Sequence, residues 1–324
     1  METPMFRERI SASSSVFVIG VAGDSGSGKT TFTRSIREIF GDDVVATITL
    51  DDYHRYDRRE RRALGITPLH PGANNLELLA GHVRTLKGGG TILKPVYNHD
   101  NGTFGPDIPF GPCRVLILEG LHTLFTRELR GLLDFSLFVD PDTDVKELWK
   151  VRRDMQRRGY SRAEVLAEME ERRPDYERFI APQRDHADVI IRISRSTLGT
   201  EASEECNIYR VMVCQKKLLA RMMEIGLSID LGEVFMLCER PFLFEYGIIP
   251  DRAMSSLTLD GELNASAIRK LVRTIGDQAG PEKLRILSNR HYVTATDIAE
   301  LIIAWRIINR WCVLDDRMAG DTKG

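Results

Sequence analysis

VFVIGVAGDSGSGKTTF, residues 16–32, is the stretch from which the rest of the chain is read. Residues 16–22 form a short apolar, largely β-branched run, the pattern of a strand buried on both faces. The next eight, from Gly23 to Thr30, fit G-x-x-x-x-G-K-[ST]. Phe32, Ile36, Ile39 and Phe40 then recur on one helical stripe, and Gly41 stands where a helix C-cap belongs. In such a strand–loop–helix unit, glycines let successive backbone N–H groups turn inward onto phosphate oxygens, and the helix adds its positive N-terminal end. Gly23, Asp24, Ser25, Gly26, Ser27, Gly28, Lys29, Thr30 and Thr31 are therefore expected to hold a nucleotide triphosphate. Lys29 would reach the β- and γ-phosphates and the Thr30 hydroxyl a Mg²⁺ ion. A chance match in a chain this long arises on the order of once in a hundred, and the flanking strand and helix make a fortuitous turn rarer still.

Outward from this unit, strands alternate with helices. VVATITL (44–50) is a second strand, ending in Asp51 and Asp52, and a long polar loop runs to about Asn74. Residues 75–87 read as a helix, 91–104 as a strand, turn and return strand, and 114–119 and 134–140 as apolar strands ending in Glu119 and Asp140. Two polar helices fill roughly 143–173, and 188–193 closes the series. This pattern predicts an α/β fold, a mostly parallel sheet with helices on both faces and the chemistry at the strand C-termini. Past residue 195 the signal weakens: 208–214 and 232–237 read as strands, 264–275 and 294–311 as helices. The expected division is a core over 1–195 and a C-terminal α+β extension over 196–324, packed on that core.

Composition narrows the classes. The 324 residues carry 45 Lys+Arg against 47 Asp+Glu, a net charge of −2, which disfavours bulk nucleic acid or an anionic membrane as partner. Five cysteines, none in a C-x-x-C pair, show no zinc or redox motif. With no apolar leader and no long uncharged apolar run, a cytoplasmic location is expected.

Three groups are candidates for chemistry. Glu119, at a strand end, suits a carboxylate that helps hold Mg²⁺. Asp51 suits a general base that takes a hydroxyl proton before attack on the γ-phosphorus, with metal contact a further possibility. A capping Asp is common at strand exits, and for Asp52 the two readings stay balanced. Lys150, Arg153, Asp154 and Arg157 share one face of a helix, with Arg158 beside them, and could supply cations to a phosphate in transfer. On composition alone a solvated, ion-paired face is the commoner outcome. His54, Arg55, Arg58 and Arg59, just after Asp51, favour an anionic acceptor. His99 and His122 fall near the same edge, where a hydrogen-bonded structural histidine is the commoner role.

Taken in order, GDSGSGKTTF, LDDYHRYDR, KPVYNHDNGTF, LILEGLHTL, LLDFSLFVD, KVRRDMQRRGY and RRPDYERFIAPQRDHADVII resemble the phosphoribulokinases, over roughly residues 16–194, and the plant-type and archaeal branch more than the shorter bacterial one. The resemblance implies ATP-dependent phosphorylation of D-ribulose 5-phosphate with Mg²⁺. It implies Asp51 as base, Glu119 as a magnesium-site acid, Lys29 as the loop lysine, and His54, Arg58, Lys150, Arg153 and Arg158 as sugar phosphate or γ-phosphoryl contacts. Asp154, Tyr97 and His99 lie in matching blocks. A homodimer is the expected assembly, with small-molecule partners and neither nucleic acid nor membrane. Plant-type members carry a redox cysteine where this chain has Ser27, and no cysteine precedes Phe110, so a thiol switch of that kind is not expected. Uridine kinase, a relative with an uncharged acceptor, is the alternative enzyme, and a non-catalytic nucleotide-binding regulator the alternative of another class.

Overall fold

The computed structural model describes residues 6–198, 208–216, 229–249, 253–279, 284, 287 and 290–321. They divide into two compact units, residues 13–33 with 43–190 and residues up to 12 with 34–42 and 191 onward. The described strands are β1 (Phe17–Gly23), β2 (Val45–Thr49), β3 (Ile92–Asn98), β4 (Thr103–Phe110), β5 (Val115–Gly120), β6 (Phe135–Pro141), β7 (Val189–Arg195), β8 (Tyr209–Lys216), β9 (Phe242–Ile249), β10 (Met254–Asn264) and β11 (Tyr292–Thr294). The helices are α1 (Phe6–Ala12), α2 (Lys29–Phe40), α3 (Arg58–Ala63), α4 (Leu76–Lys87), α5 (Arg127–Leu132), α6 (Thr143–Arg158), α7 (Arg162–Asp175), α8 (Leu231–Leu237), α9 (Arg269–Ala279) and α10 (Ala295–Asp321).

In the unit built on residues 13–33 and 43–190, the strand order is β2-β5-β1-β6, with the start of β7 beyond β6. β1 pairs in parallel with β5 on one side and β6 on the other, so Ile19 lies beside Ile117 and Phe135, and Val21 beside Glu119 and Leu137. Every residue of β1 is buried, as a central strand covered on both faces requires. Ile48, Leu79, Val83, Leu116 and Leu118 pack with Tyr53 in the core under this sheet. Because the strands are parallel, their C-terminal ends share one edge, and Gly23, Glu119, Asp140 and the turn Leu50–Tyr53 all arrive there. The predicted α/β class and parallel sheet are what the chain adopts.

Two expectations change. The loop expected over 51–74 contains α3, whose N-cap Asp57 side chain accepts a bond from the Glu60 N–H while the Glu60 side chain accepts one from the Asp57 N–H. Residues 232–237, expected as a strand, are helical because Asp230 caps the Glu233 N–H at 3.1 Å and starts α8.

In the other unit, β10 pairs antiparallel with β8, β9 and β11. Phe6 lies 5.3 Å from Phe40 and 5.2 Å from Trp311, ring centre to ring centre. Arg9 binds Asp315 at 2.6 Å. Glu300, on α10, accepts a 2.9 Å bond from the Ser35 hydroxyl, and burial pushes its carboxyl up to about 8. Among the described residues, no helix is long and apolar enough to cross a membrane.

Candidate active site

The loop between β1 and α2 bends where only glycine fits. Gly23 has φ +149°, and a Cβ there would lie 2.6 Å from the Val139 carbonyl; Gly28 has φ +90°, with Trp149 3.1 Å from any added Cβ. Lys29 curls over the loop, its Nζ donating to the carbonyls of Gly23 (3.0 Å) and Asp24 (2.6 Å). Burial lowers the Lys29 pKa while Glu119, Asp24 and Asp51 oppose the shift. Thr30 and Thr33 each donate a 2.7 Å hydrogen bond to one oxygen of Glu119. The Ser27 hydroxyl is buried with no hydrogen-bond partner among the described residues.

Asp51 and Asp52 are adjacent in sequence and opposite in role. Asp52 is buried: one oxygen pairs with Lys94, and the other accepts the Tyr97 N–H at 2.9 Å, so it ties the turn after β2 to β3. Asp51 is partly open, with His99 Nε2 at 3.6 Å and His54 Nε2 at 3.9 Å, both beyond hydrogen-bond reach. The tautomer of His54 follows from its neighbours. Asn74 spends its amide N–H groups on the carbonyls of Pro68 and His70, which leaves its Oδ1 to accept from His54 Nδ1 at 2.8 Å. His54 Nε2 then presents a lone pair toward Asp51, and burial lowers its pKa so that the neutral ring is favoured. His122 is buried and bonded to the Leu69 backbone, with Nε2 unpartnered among the described residues; burial lowers its pKa to about 4.

Arg58, the first residue of α3, donates from Nη2 to the His99 carbonyl at 2.5 Å, and its N–H bonds the Gly102 carbonyl at 2.9 Å. Tyr97 is buried among His54, His99 and Phe104, its hydroxyl accepting from Arg61 at 2.8 Å. On α6, the buried Asp154 orients Arg153, whose Nε and Nη2 lie 2.8 and 3.3 Å from its two oxygens, and Arg153 Nη2 also reaches the Ser25 hydroxyl at 3.3 Å. A cavity of about 520 Å³ opens beside Asp24 and Ser25 between α6, α7 and the turn at Tyr176. Lys146, Lys150, Arg172 and Arg173 line it together with the carboxylates Asp24, Glu147, Glu170 and Glu177, and Leu69 and Tyr176 form an apolar wall. Each cation has an internal partner: Lys146 pairs with Asp24 at 2.9 Å, Lys150 and Arg172 with Glu168 at 2.9 and 2.7 Å, and Arg173 with Glu170 at 2.5 Å.

Of the residues expected from sequence, the phosphate loop, Thr30, Glu119, Asp51, His54, Arg58 and His99 gather at the C-terminal edge of the sheet, and Arg153 reaches the loop through Ser25. Tyr97 and Asp154 are buried and act on their neighbours. The side chains of Arg157 and Arg158 lie outside the described residues. Lys146, Glu168, Arg172 and Arg173 escaped the sequence reading. The four-residue step from Glu168 to Arg172 was its one visible sign, and that step is also common on plain solvated helices.

Residues 18–198 match the model of the Phosphoribulokinase / Uridine kinase family. The phosphoribulokinase of Synechocystis sp. is 42% identical over 202 residues, covering 62% of this chain and 60% of that protein. The chloroplastic phosphoribulokinase of Arabidopsis thaliana is 37% identical, covering 65% and 58%. A uridine kinase of Brevibacillus brevis is 37% identical, covering 54% of this chain and 83% of its own length. The chain thus spans about 60% of the length of the phosphoribulokinases it matches. Among solved structures, the phosphoribulokinase from Rhodobacter spheroides superposes with a TM-score of 0.54 at 20% identity, covering 85% of this chain and 99% of that one, a likeness of fold.

Proposed function

The chain belongs to the phosphoribulokinase / uridine kinase family, and from that premise we propose that it transfers the γ-phosphoryl group of ATP to the 1-hydroxyl of D-ribulose 5-phosphate, giving ribulose 1,5-bisphosphate and ADP. The observation that carries this reading is the cluster of Lys146, Lys150, Arg172 and Arg173, set among the carboxylates Asp24, Glu147, Glu170 and Glu177, on the wall of the cavity beside the phosphate loop. An acceptor that already bears a phosphate has use for these cations, and an uncharged nucleoside does not. Resemblance to phosphoribulokinases at 37–42% identity supports the same substrate.

The loop N–H groups, the α2 N-terminus and Lys29 hold the triphosphate. Thr30 and Glu119 present oxygen donors side by side, the donor type Mg²⁺ requires, and would hold that ion together with phosphate oxygens. Asp51 is an alternative third donor. When bound, Mg²⁺ neutralises charge on the phosphates. Asp51, open at the sheet edge, takes the proton from the acceptor hydroxyl, and the bare Nε2 of His54 accepts a second hydroxyl hydrogen and keeps the sugar oriented. Arg58 and Lys150 hold the acceptor, while Arg153, fixed by Asp154 against Ser25, neutralises charge as the γ-phosphoryl moves. Arg158 stands on the same helix and has the same role in this reading. The reading also carries a homodimer and a cytoplasmic location; the alternating exposed side chains Phe244, Tyr246 and Ile248 on β9 support a self-contact.

ADP release with Mg·ATP and ribulose 5-phosphate, uridine or no acceptor tests the proposal. Turnover confined to ribulose 5-phosphate supports it. Turnover with uridine transfers the chain to the nucleoside kinases, and silence with all three removes the assigned acceptor.

A further inference from the structure

Glu168 stands apart from the other acids near the cavity. It is one carboxylate shared by two cations on different helices, Lys150 Nζ at 2.9 Å and Arg172 Nη1 at 2.7 Å. Lys150 is almost wholly enclosed, Glu168 and Arg172 are about three-quarters buried, and both cations line the cavity that reaches Asp24 and Ser25. Behind them Asp154 lies 3.9 Å from Lys150 and is itself held by Arg153.

A carboxylate bridging two cationic tips does what a phosphate oxygen pair does, with half the charge. Building on the assignment of a phosphorylated acceptor, we propose that Glu168 is a resident anion that the acceptor's phosphate displaces from Lys150 and Arg172. Until then it keeps two buried cations paired and holds α7 against α6. A dianion entering the cavity outcompetes a single negative charge for both cations, whereas a neutral hydroxyl does not. Glu168 thereby sets a threshold that selects phosphorylated acceptors and weakens their apparent affinity by the cost of the exchange. Although burial raises the Glu168 pKa, Arg172 and Lys150 together hold it below the usual carboxylate value, so the competitor is charged at neutral pH.

The test is Glu168→Gln, which keeps the size and an acceptor oxygen for both cations and removes the negative charge. Lys150 retains Asp154 as a partner in this variant. The expected result is a fall of about tenfold in KM for ribulose 5-phosphate, the scale of one charge-assisted contact. kcat and KM for ATP stay within about twofold, and inorganic phosphate becomes a proportionately stronger competitor of the acceptor. Glu168→Asp, too short to span both cations, shifts KM the same way by less and serves if the Gln variant does not fold. A KM that rises or stays unchanged makes Glu168 a structural strut and overturns the proposal. Calorimetric titration of inorganic phosphate into wild type and variant separates this from the choice of substrate. Tighter phosphate in the variant supports the exchange even if ribulose 5-phosphate is not turned over, and equal or weaker phosphate refutes it.

Discussion

Replacing Asp51 and Asp52 one at a time by Asn should produce opposite defects. Asp52 and its partner Lys94 have side chains only 8% and 9% exposed, and the second Asp52 oxygen accepts the Tyr97 N–H. In Asp52→Asn the amide has one acceptor oxygen for two donors. If it serves Tyr97, its own N–H₂ faces the buried ammonium. Breaking one side of a buried pair costs about 3–5 kcal/mol, so Asp52→Asn should lose most of that in urea unfolding, with the turn after β2 loosening from β3. Asp51 is 35% exposed and makes no hydrogen bond to either nearby imidazole. Its replacement should change stability by no more than about 0.5 kcal/mol, and should lower kcat by at least about 10²-fold with KM little moved. Urea midpoints and steady-state rates on the two variants decide the matter. A stable Asp52→Asn protein, or an Asp51→Asn protein with wild-type kcat, would refute the division of labour.

Arg58→Ala should raise KM for the sugar phosphate at least about tenfold, the value of a lost charged contact, and leave ATP affinity alone; equal weakening of both would remove Arg58 from the acceptor side. Glu119→Gln should raise the Mg²⁺ concentration needed for half-maximal rate by about tenfold or more, read from a magnesium titration at fixed ATP. Glu300, pushed up to about 8 from an ordinary 4.5, keeps a proton in the folded chain that the unfolded chain gives up. Wild type should therefore lose stability relative to Glu300→Gln by about 1.4 kcal/mol per pH unit as pH rises between those two values, and no further above them. Parallel unfolding curves for wild type and variant across pH 5.5 to 8 would show instead that Glu300 titrates normally.

The strands of the parallel sheet were legible because each is an apolar run covered on both faces, and such a run has few alternatives. The phosphate loop was legible because its glycines, lysine and threonine have a spacing that few other structures need. Asp51 and Asp52 could not be separated, since successive residues of the short helical turn Leu50–Tyr53 point in different directions and nothing local marks which one is buried. Asp57 and Glu60 did spell a capping box, so α3 was readable in principle. Asp230 likewise announced α8, but the apolar content of 232–237 outweighed a single cap in the sequence reading. Glu168 lay beyond reach of sequence: its partner Lys150 is eighteen residues away on another helix, and only the pairing of α6 with α7 brings them together.

The central claim is that this site is built for an acceptor that already carries a phosphate. The most direct measurement compares kcat/KM for D-ribulose 5-phosphate and for D-ribulose under the same Mg·ATP. Two charge-assisted contacts at about 1.5–3 kcal/mol each predict a preference of at least about 10²-fold for the phosphorylated sugar. Equal values for the two sugars, or a larger value for uridine, would contradict the account.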